Sequence, residues 1–81
     1  MKNIFIILSL LLTHSHSSEL SAMQSACENK VAVACHHIGI LYDRGSGLKE
    51  DKVKAKEYYL KACDYGYDKA CKRFEHIEEE N

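Results

Sequence analysis

Two cysteine pairs of equal spacing, Cys27 with Cys35 and Cys63 with Cys71, stand 36 residues apart and carry their neighbours with them. Ala26-Cys27-Glu28 aligns with Ala62-Cys63-Asp64, and Ala34-Cys35 with Ala70-Cys71, at that one offset. A period of this length belongs to repeat architectures, in which each unit is a small supersecondary motif that hides its apolar face against the next. Long solenoids are excluded by the room available, since the chain has 81 residues.

The units read as helical. Ala32, Cys35, Ile38, Gly39 and Tyr42 follow the i, i+3, i+4, i+7 rhythm, and Val53, Lys56, Tyr59, Leu60 and Cys63 nearly do. Proline is absent, and glycine supplies the breaks: Arg44-Gly45-Ser46-Gly47 offers positive-φ positions, and Gly66 suits the residue after a helix end. Asp51 stands where an N-cap belongs. These signals predict helices near 19–28, 31–43, 51–64 and 67–78, with Glu78-Glu79-Glu80-Asn81 fraying into solvent. Gly39, Ala34, Ala55, Ala62 and Ala70 are small residues that let neighbouring helices approach closely. A mid-helix glycine costs about 1 kcal/mol relative to alanine, so Gly39 calls for a packing reason.

Four cysteines allow three connectivities. On one continuous helix, residues eight apart lie about 12 Å from each other, beyond the roughly 7 Å reach of a disulfide. A chain reversed at Gly66 brings Cys63 opposite Cys71, and the same holds for Cys27 and Cys35 around Glu28-Asn29-Lys30. Pairing Cys27 with Cys63 would instead cross packed helices spaced about 8–10 Å apart, so local pairing is expected. Each such bridge contributes roughly 2–3 kcal/mol by the chain-entropy argument. A Cys₄ zinc site, with His36 or His37 beside Cys35, is the metal alternative, but structural zinc cysteines come in shorter C-x₂₋₄-C knuckles. No metal and no cofactor are expected.

The N-terminus sets the expected compartment. Met1-Lys2-Asn3 is a short basic start, and Ile4 to Leu12 an apolar run of nine residues, too short for the roughly 20 that span a bilayer. Ser15 and Ser17 suit a signal peptidase, so a signal peptide over 1–17 and a mature domain over 18–81 are expected, secreted or periplasmic, with no membrane span after cleavage. Oxidising surroundings would keep the disulfides, which a core of about 64 residues needs. The net charge of −1 becomes about −2 once Lys2 is removed, and no basic stripe is present to neutralise phosphates, so no nucleic-acid partner is expected.

The run A-C-x-x-I-G-x-L-Y-x-x-G-x-G-L-x-x-D over residues 34–51 and E-Y-Y-x-K-A-C-D-Y-G-x-x-x-A-C over residues 57–71 resembles the Sel-one-like repeat family. The likeness is to its cysteine-rich branch, the Helicobacter cysteine-rich protein family. The pattern departs at His36-His37, and at Asn29-Lys30, which lacks the glycine found at Gly66. The resemblance implies an all-α fold, a short right-handed α/α solenoid of disulfide-stapled hairpins (a TPR-like superhelix) with about one and a half repeats. It also implies an exported module that binds a protein or peptide, with a slow β-lactamase or penicillin-binding hydrolase as the alternative and a β-lactam as its ligand. A remnant of a longer repeat protein is the third reading.

The residues themselves favour binding. Ser46-Gly47-Leu48-Lys49 has the S-x-x-K form of a serine β-lactamase, without the companion S-D-N and K-T-G motifs and between two glycines. His36 and His37 point about 100° apart on a helix and cannot easily join one metal site, with His76 the remaining histidine past the expected cut. Catalytic residues are therefore left unassigned. Tyrosine pairs an apolar body with a polar tip, and Tyr42, Tyr58 and Tyr59 are the candidate binding residues, one of the adjacent pair facing outward. Lys49, Lys52, Lys54, Lys56 and Lys61, interleaved with acids, read as a solvated helix face.

Overall fold

The chain reverses wherever a residue takes positive φ, and these reversals set the architecture. In the computed structural model, which describes residues 15–80, helix α1 spans Ser15–Glu28, α2 Ala32–Arg44, α3 Lys52–Asp64 and α4 Asp68–Glu80. The described residues are all-helical, with no strand. Helix α1 packs on α2, α2 on α3 and α3 on α4, so the fold is two helical hairpins side by side.

The two hairpin turns are copies of each other. In the first, the Lys30 N–H donates to the Cys27 carbonyl at 3.0 Å and the Val31 N–H to the Ala26 carbonyl at 3.0 Å. In the second, Gly66 donates to Cys63 at 3.0 Å and Tyr67 to Ala62 at 2.9 Å, each pair displaced by 36 positions. Gly66 takes φ 102° without a Cβ to object, whereas Lys30 takes φ 67° with one. The longer link between the hairpins uses Gly45 at φ 68°, and Asp51 caps α3 by accepting the Lys54 N–H at 3.0 Å.

One disulfide staples each hairpin: Cys27 joins Cys35 and Cys63 joins Cys71, both with Cα atoms 4.7 Å apart. The first lies in the core with Ile38, Ala62 and Ala70; half-buried Met23, Tyr42, Tyr58 and Tyr67 pack around it. A second cluster, Ala55, Tyr59 and Ile77, takes Ile40, Tyr42 and Phe74 against it and joins the hairpins. Here Gly39 has its packing reason. A Cβ built on it would lie 2.6 Å from Cδ1 and 2.7 Å from Cε1 of Tyr59.

Two expectations shift. Helix α1 begins at Ser15, ahead of the expected residue 19 and of the expected cut after Ser17, while the apolar run Ile4 to Leu12 lies outside the described residues. Helix α4 runs to Glu80, through glutamates expected to fray, and Glu78 meets Lys56 Nζ of α3 at 2.6 Å.

Candidate protein-binding faces

Tyr59 is wholly buried, which corrects its assignment as a binding residue. The 3.6-residue period puts Ala55, Tyr59 and Ala62 on the inward stripe of α3, so Tyr58, one step round, is the outward member of the pair. The Tyr59 hydroxyl donates to Asp43 Oδ2 at 2.9 Å, and Lys52 Nζ reaches both Asp43 Oδ1 and the Asp43 carbonyl. This clasp ties the end of α2 to the start of α3. Burial, then the hydrogen bond and charge of Asp43, push the Tyr59 hydroxyl up to about 12. Burial works to raise Asp43, but the bonds from Lys52 and Tyr59 and the charges of Lys52 and Arg73 outweigh it and hold the carboxyl below its ordinary value. His36 lies between the rings of Tyr59 and Tyr67, at centroid distances of 5.3 and 4.9 Å, with its Nδ1 buried and unpartnered. Burial, with Arg73, His37 and Lys69 nearby, lowers its pKa from 6.5.

Tyr42 and Tyr58, both half-buried, form an aromatic face. Tyr42 and Tyr58 stack with centroids 5.9 Å apart, Lys54 Nζ lies 5.4 Å from the Tyr42 ring centre and Lys61 Nζ 5.1 Å from that of Tyr58. Positions 54, 58 and 61 share one stripe of α3 because they are three or four apart, and Tyr65 follows as the residue that caps the helix. Across from that stripe stands the end of α1, and between them lies a groove of ≈ 400 Å³ lined by Gln24, Cys27, Glu28, Tyr58, Lys61 and Tyr65. Two tyrosines, two charged side chains, an amide and a cysteine of the first disulfide thus line it. Lys54 and Lys61, expected only as a solvated face, are held over rings.

A second pocket, of ≈ 370 Å³, opens between α1, α2 and the glycine link. Leu20, Met23, Leu41 and Leu48 form its apolar wall, with Glu19, His37 and Ser46 at the edge.

Ser46 is exposed in the link, Gly47 beside it has φ 77°, and Lys49 is exposed and part of no helix. His37 is exposed on α2, whereas His36 is turned toward the aromatic rings. Among the described residues no group of three His, Cys, Asp or Glu side chains could hold a metal ion, and no helix is long and apolar enough to cross a membrane. Sequence reasoning missed Asp43, whose partners come from another helix. It also missed the Leu20–Met23–Leu41 wall, which the 36-residue offset could have revealed by aligning Met23 with Tyr59.

Two relatives share a printed name. Cytochrome c oxidase assembly factor 7 of Homo sapiens is 40% identical over 52 residues, covering 57% of this chain and 22% of the relative. That of Mus musculus is 35% identical over 66 residues, covering 74% of this chain and 29% of the relative. The chain thus spans less than a third of the length of these curated relatives. No protein-family model matches the chain, and no solved structure matches it.

These findings correct the reading by resemblance. Assignment to the Sel-one-like, cysteine-rich branch is overturned, because no family model matches and the relatives carry the name of an oxidase assembly factor. The exported repeat module and its β-lactamase alternative fall on the same ground, since neither relative is named as a hydrolase or a penicillin binder. So does the secreted or periplasmic placement: the relatives are named for the assembly of cytochrome c oxidase, not for export.

Proposed function

We propose that this chain works in the assembly of cytochrome c oxidase, as a disulfide-stapled helical module that holds a protein partner. The observation that carries the reading is the 40% identity over 52 residues to a protein named as an assembly factor of that oxidase. The fold supports it in kind. Two stapled hairpins carry the half-buried, stacked Tyr42 and Tyr58 with Lys54 and Lys61 over their rings, beside a groove. Tyrosines on a rigid frame bring large contact area at little entropic cost, which suits them to a protein partner. In this reading Tyr42 and Tyr58 touch the partner, and the four cysteines keep the face in shape.

The test is deletion of the gene in its own organism, followed by cytochrome c oxidase activity and the amount of assembled oxidase seen by its haem absorbance. Loss of both, restored by the native gene and only weakly by Tyr58→Ala with Lys61→Ala, is the expected result. Full oxidase activity after deletion would overturn the assembly role.

A further inference from the structure

The lysines of α3 differ in the kind of partner they meet. Lys52 pairs with Asp43 and Lys56 with Glu78, so their charges are answered within the fold. Lys54 and Lys61 meet rings instead, 5.4 Å from the centre of Tyr42 and 5.1 Å from that of Tyr58, and among the described residues neither makes an ion pair. Carboxylates stand within reach along the helix, since Glu57 precedes Lys61 by four positions and Asp64 follows it by three. The ring holds the ammonium all the same. Each ring of the Tyr42–Tyr58 stack thus carries its own exposed lysine, and two long side chains are given a position before any partner arrives.

Lys61 reaches into the groove between α1 and α3, whose other wall holds Gln24 and Glu28. The register of the repeat gives no reason for the chain's own first residues to fill it. The images of Gln24 and Glu28 in the second unit are Leu60 and Asp64, and both are exposed although residues 37–50, the images of 1–14, stand before α3 there.

Resting on the reading that the chain holds protein partners, we propose that Lys61 in the groove and Lys54 beside it bind an extended acidic segment of a protein partner, one carboxylate on each ammonium. The two cations set the spacing. Their Cα atoms stand about 10.5 Å apart along α3, and by way of the two ring centres their ammoniums are no more than about 16 Å apart. An extended chain advances about 3.3 Å per residue and turns alternate side chains to one side, so acids four positions apart stand about 13 Å from each other and match both limits. The opposite wall favours an extended segment over a helix. The Glu28 carboxylate and the Gln24 amide oxygen are acceptors there, and an extended backbone brings unpaired N–H groups to them, whereas a helix spends its own internally. Glu28 also repels a carboxylate on its own side, so the acids of the segment turn toward α3.

The experiment uses the full oxidised chain and a fluorescein-labelled synthetic peptide of serine, threonine and valine with two glutamates four positions apart, followed by fluorescence anisotropy at low and at physiological salt. Control peptides carry glutamine in place of one glutamate, or set the two glutamates side by side. Expected is saturable binding that weakens with salt and falls at least fivefold for each control and for Lys54→Gln or Lys61→Gln. Lys61→Arg should keep it, because arginine also holds its charge over a ring. In a double-mutant cycle, Lys61→Gln should cost nothing further with the peptide that lacks the matching glutamate. Both lysines are exposed, so the variants keep their helices, which far-UV circular dichroism checks. No saturable binding, a control peptide bound as tightly as the first, or unchanged binding by Lys61→Gln would overturn the proposal. So would tighter binding of a helix-stapled peptide with glutamates seven apart, binding that begins only when residues 1–14 are removed, or phosphatidylglycerol vesicles held through the same lysines in place of the peptide. The readout does not depend on the oxidase. A bound peptide with oxidase intact after deletion sinks the assembly role alone, and an unbound peptide with oxidase lost sinks this proposal alone.

Discussion

Replacing Gly39 with alanine sets two well-known effects against each other at one position. The helix gains, because alanine in a helix interior is favoured over glycine by about 1 kcal/mol. The packing loses, because the new methyl would sit 2.6 Å from Tyr59 Cδ1 and 3.3 Å from the Ala55 carbonyl oxygen. Carbon atoms rest at about 3.5–4.0 Å, so the helices or the ring must give by about 1 Å. The ring has little freedom: it is wholly buried, and its hydroxyl is held by Asp43 at 2.9 Å. Overpacking of this kind costs about 1–3 kcal/mol, and a displaced hydrogen bond to a charged group a further 1.5–3 kcal/mol, roughly. Packing wins, and the net loss should be about 1.5–5 kcal/mol. In a domain of this size each kcal/mol moves the melting temperature by about 4–8 °C, so Gly39→Ala should melt lower by about 6 °C or more. The assay is thermal unfolding followed at 222 nm, with Gly39→Ala/Tyr59→Leu as the second arm of a double-mutant cycle. If Gly39→Ala melts at or above the native temperature, Tyr59 is not the wedge described here and the close approach of α2 to α3 is wrong.

The other predictions are narrower. Lys30→Gly should stabilise the fold by about 0.5–1 kcal/mol in urea titration, since a left-handed non-glycine residue costs about 1–2 kcal/mol and glycine's extra unfolded entropy returns about 0.5–1; no gain would mean that the first turn is unstrained. Peptide mapping without reduction should link Cys27 to Cys35 and Cys63 to Cys71, and Cys63→Ser with Cys71→Ser should cost roughly 2–3 kcal/mol. Melting temperature against pH should show a plateau with two falling arms. Asp43 and His36 have folded pKa values below their ordinary ones, so the contribution of His36 is whole above 6.5 and that of Asp43 above 3.8, and each is lost as pH falls through its folded value. Tyr59 is raised to about 12, so its contribution is whole below 10 and is lost as pH rises through about 12; Tyr59→Phe should remove that alkaline loss.

The helical fold was legible because its signals are local: two glycine-bearing breaks, a capping aspartate and an apolar stripe of period 3.6. Gly39 was legible as a packing residue, though not its partner, because a helix shows which of its faces is crowded without showing by what. Tyr58 and Tyr59 marked a place where one ring faces out, and only the stripe through Ala55 and Ala62 decides which. Asp43 carried no signal, since its role comes from Lys52 and Tyr59, nine and sixteen residues away across a turn. The functional reading went astray for a different reason. Cysteine spacing and an apolar N-terminus describe how a chain is built and stapled, and both are compatible with many activities.

The same offset that built the fold makes its two ends unlike, and this bears on how such a module can work. At the outgoing end of α4 the images of Gly39, Ile40, Tyr42 and Asp43 are Glu75, His76, Glu78 and Glu79, all exposed. Ile77 alone of that helix is fully buried apart from Ala70, and it faces back toward Ala55 and Tyr59. In the first hairpin Leu20, Met23 and Leu41 keep the apolar character of an interior surface. The outward side of α4 is thus the kind of polar face that a terminal unit of a repeat array needs to stay soluble, whereas the first hairpin carries an apolar wall beside Glu19.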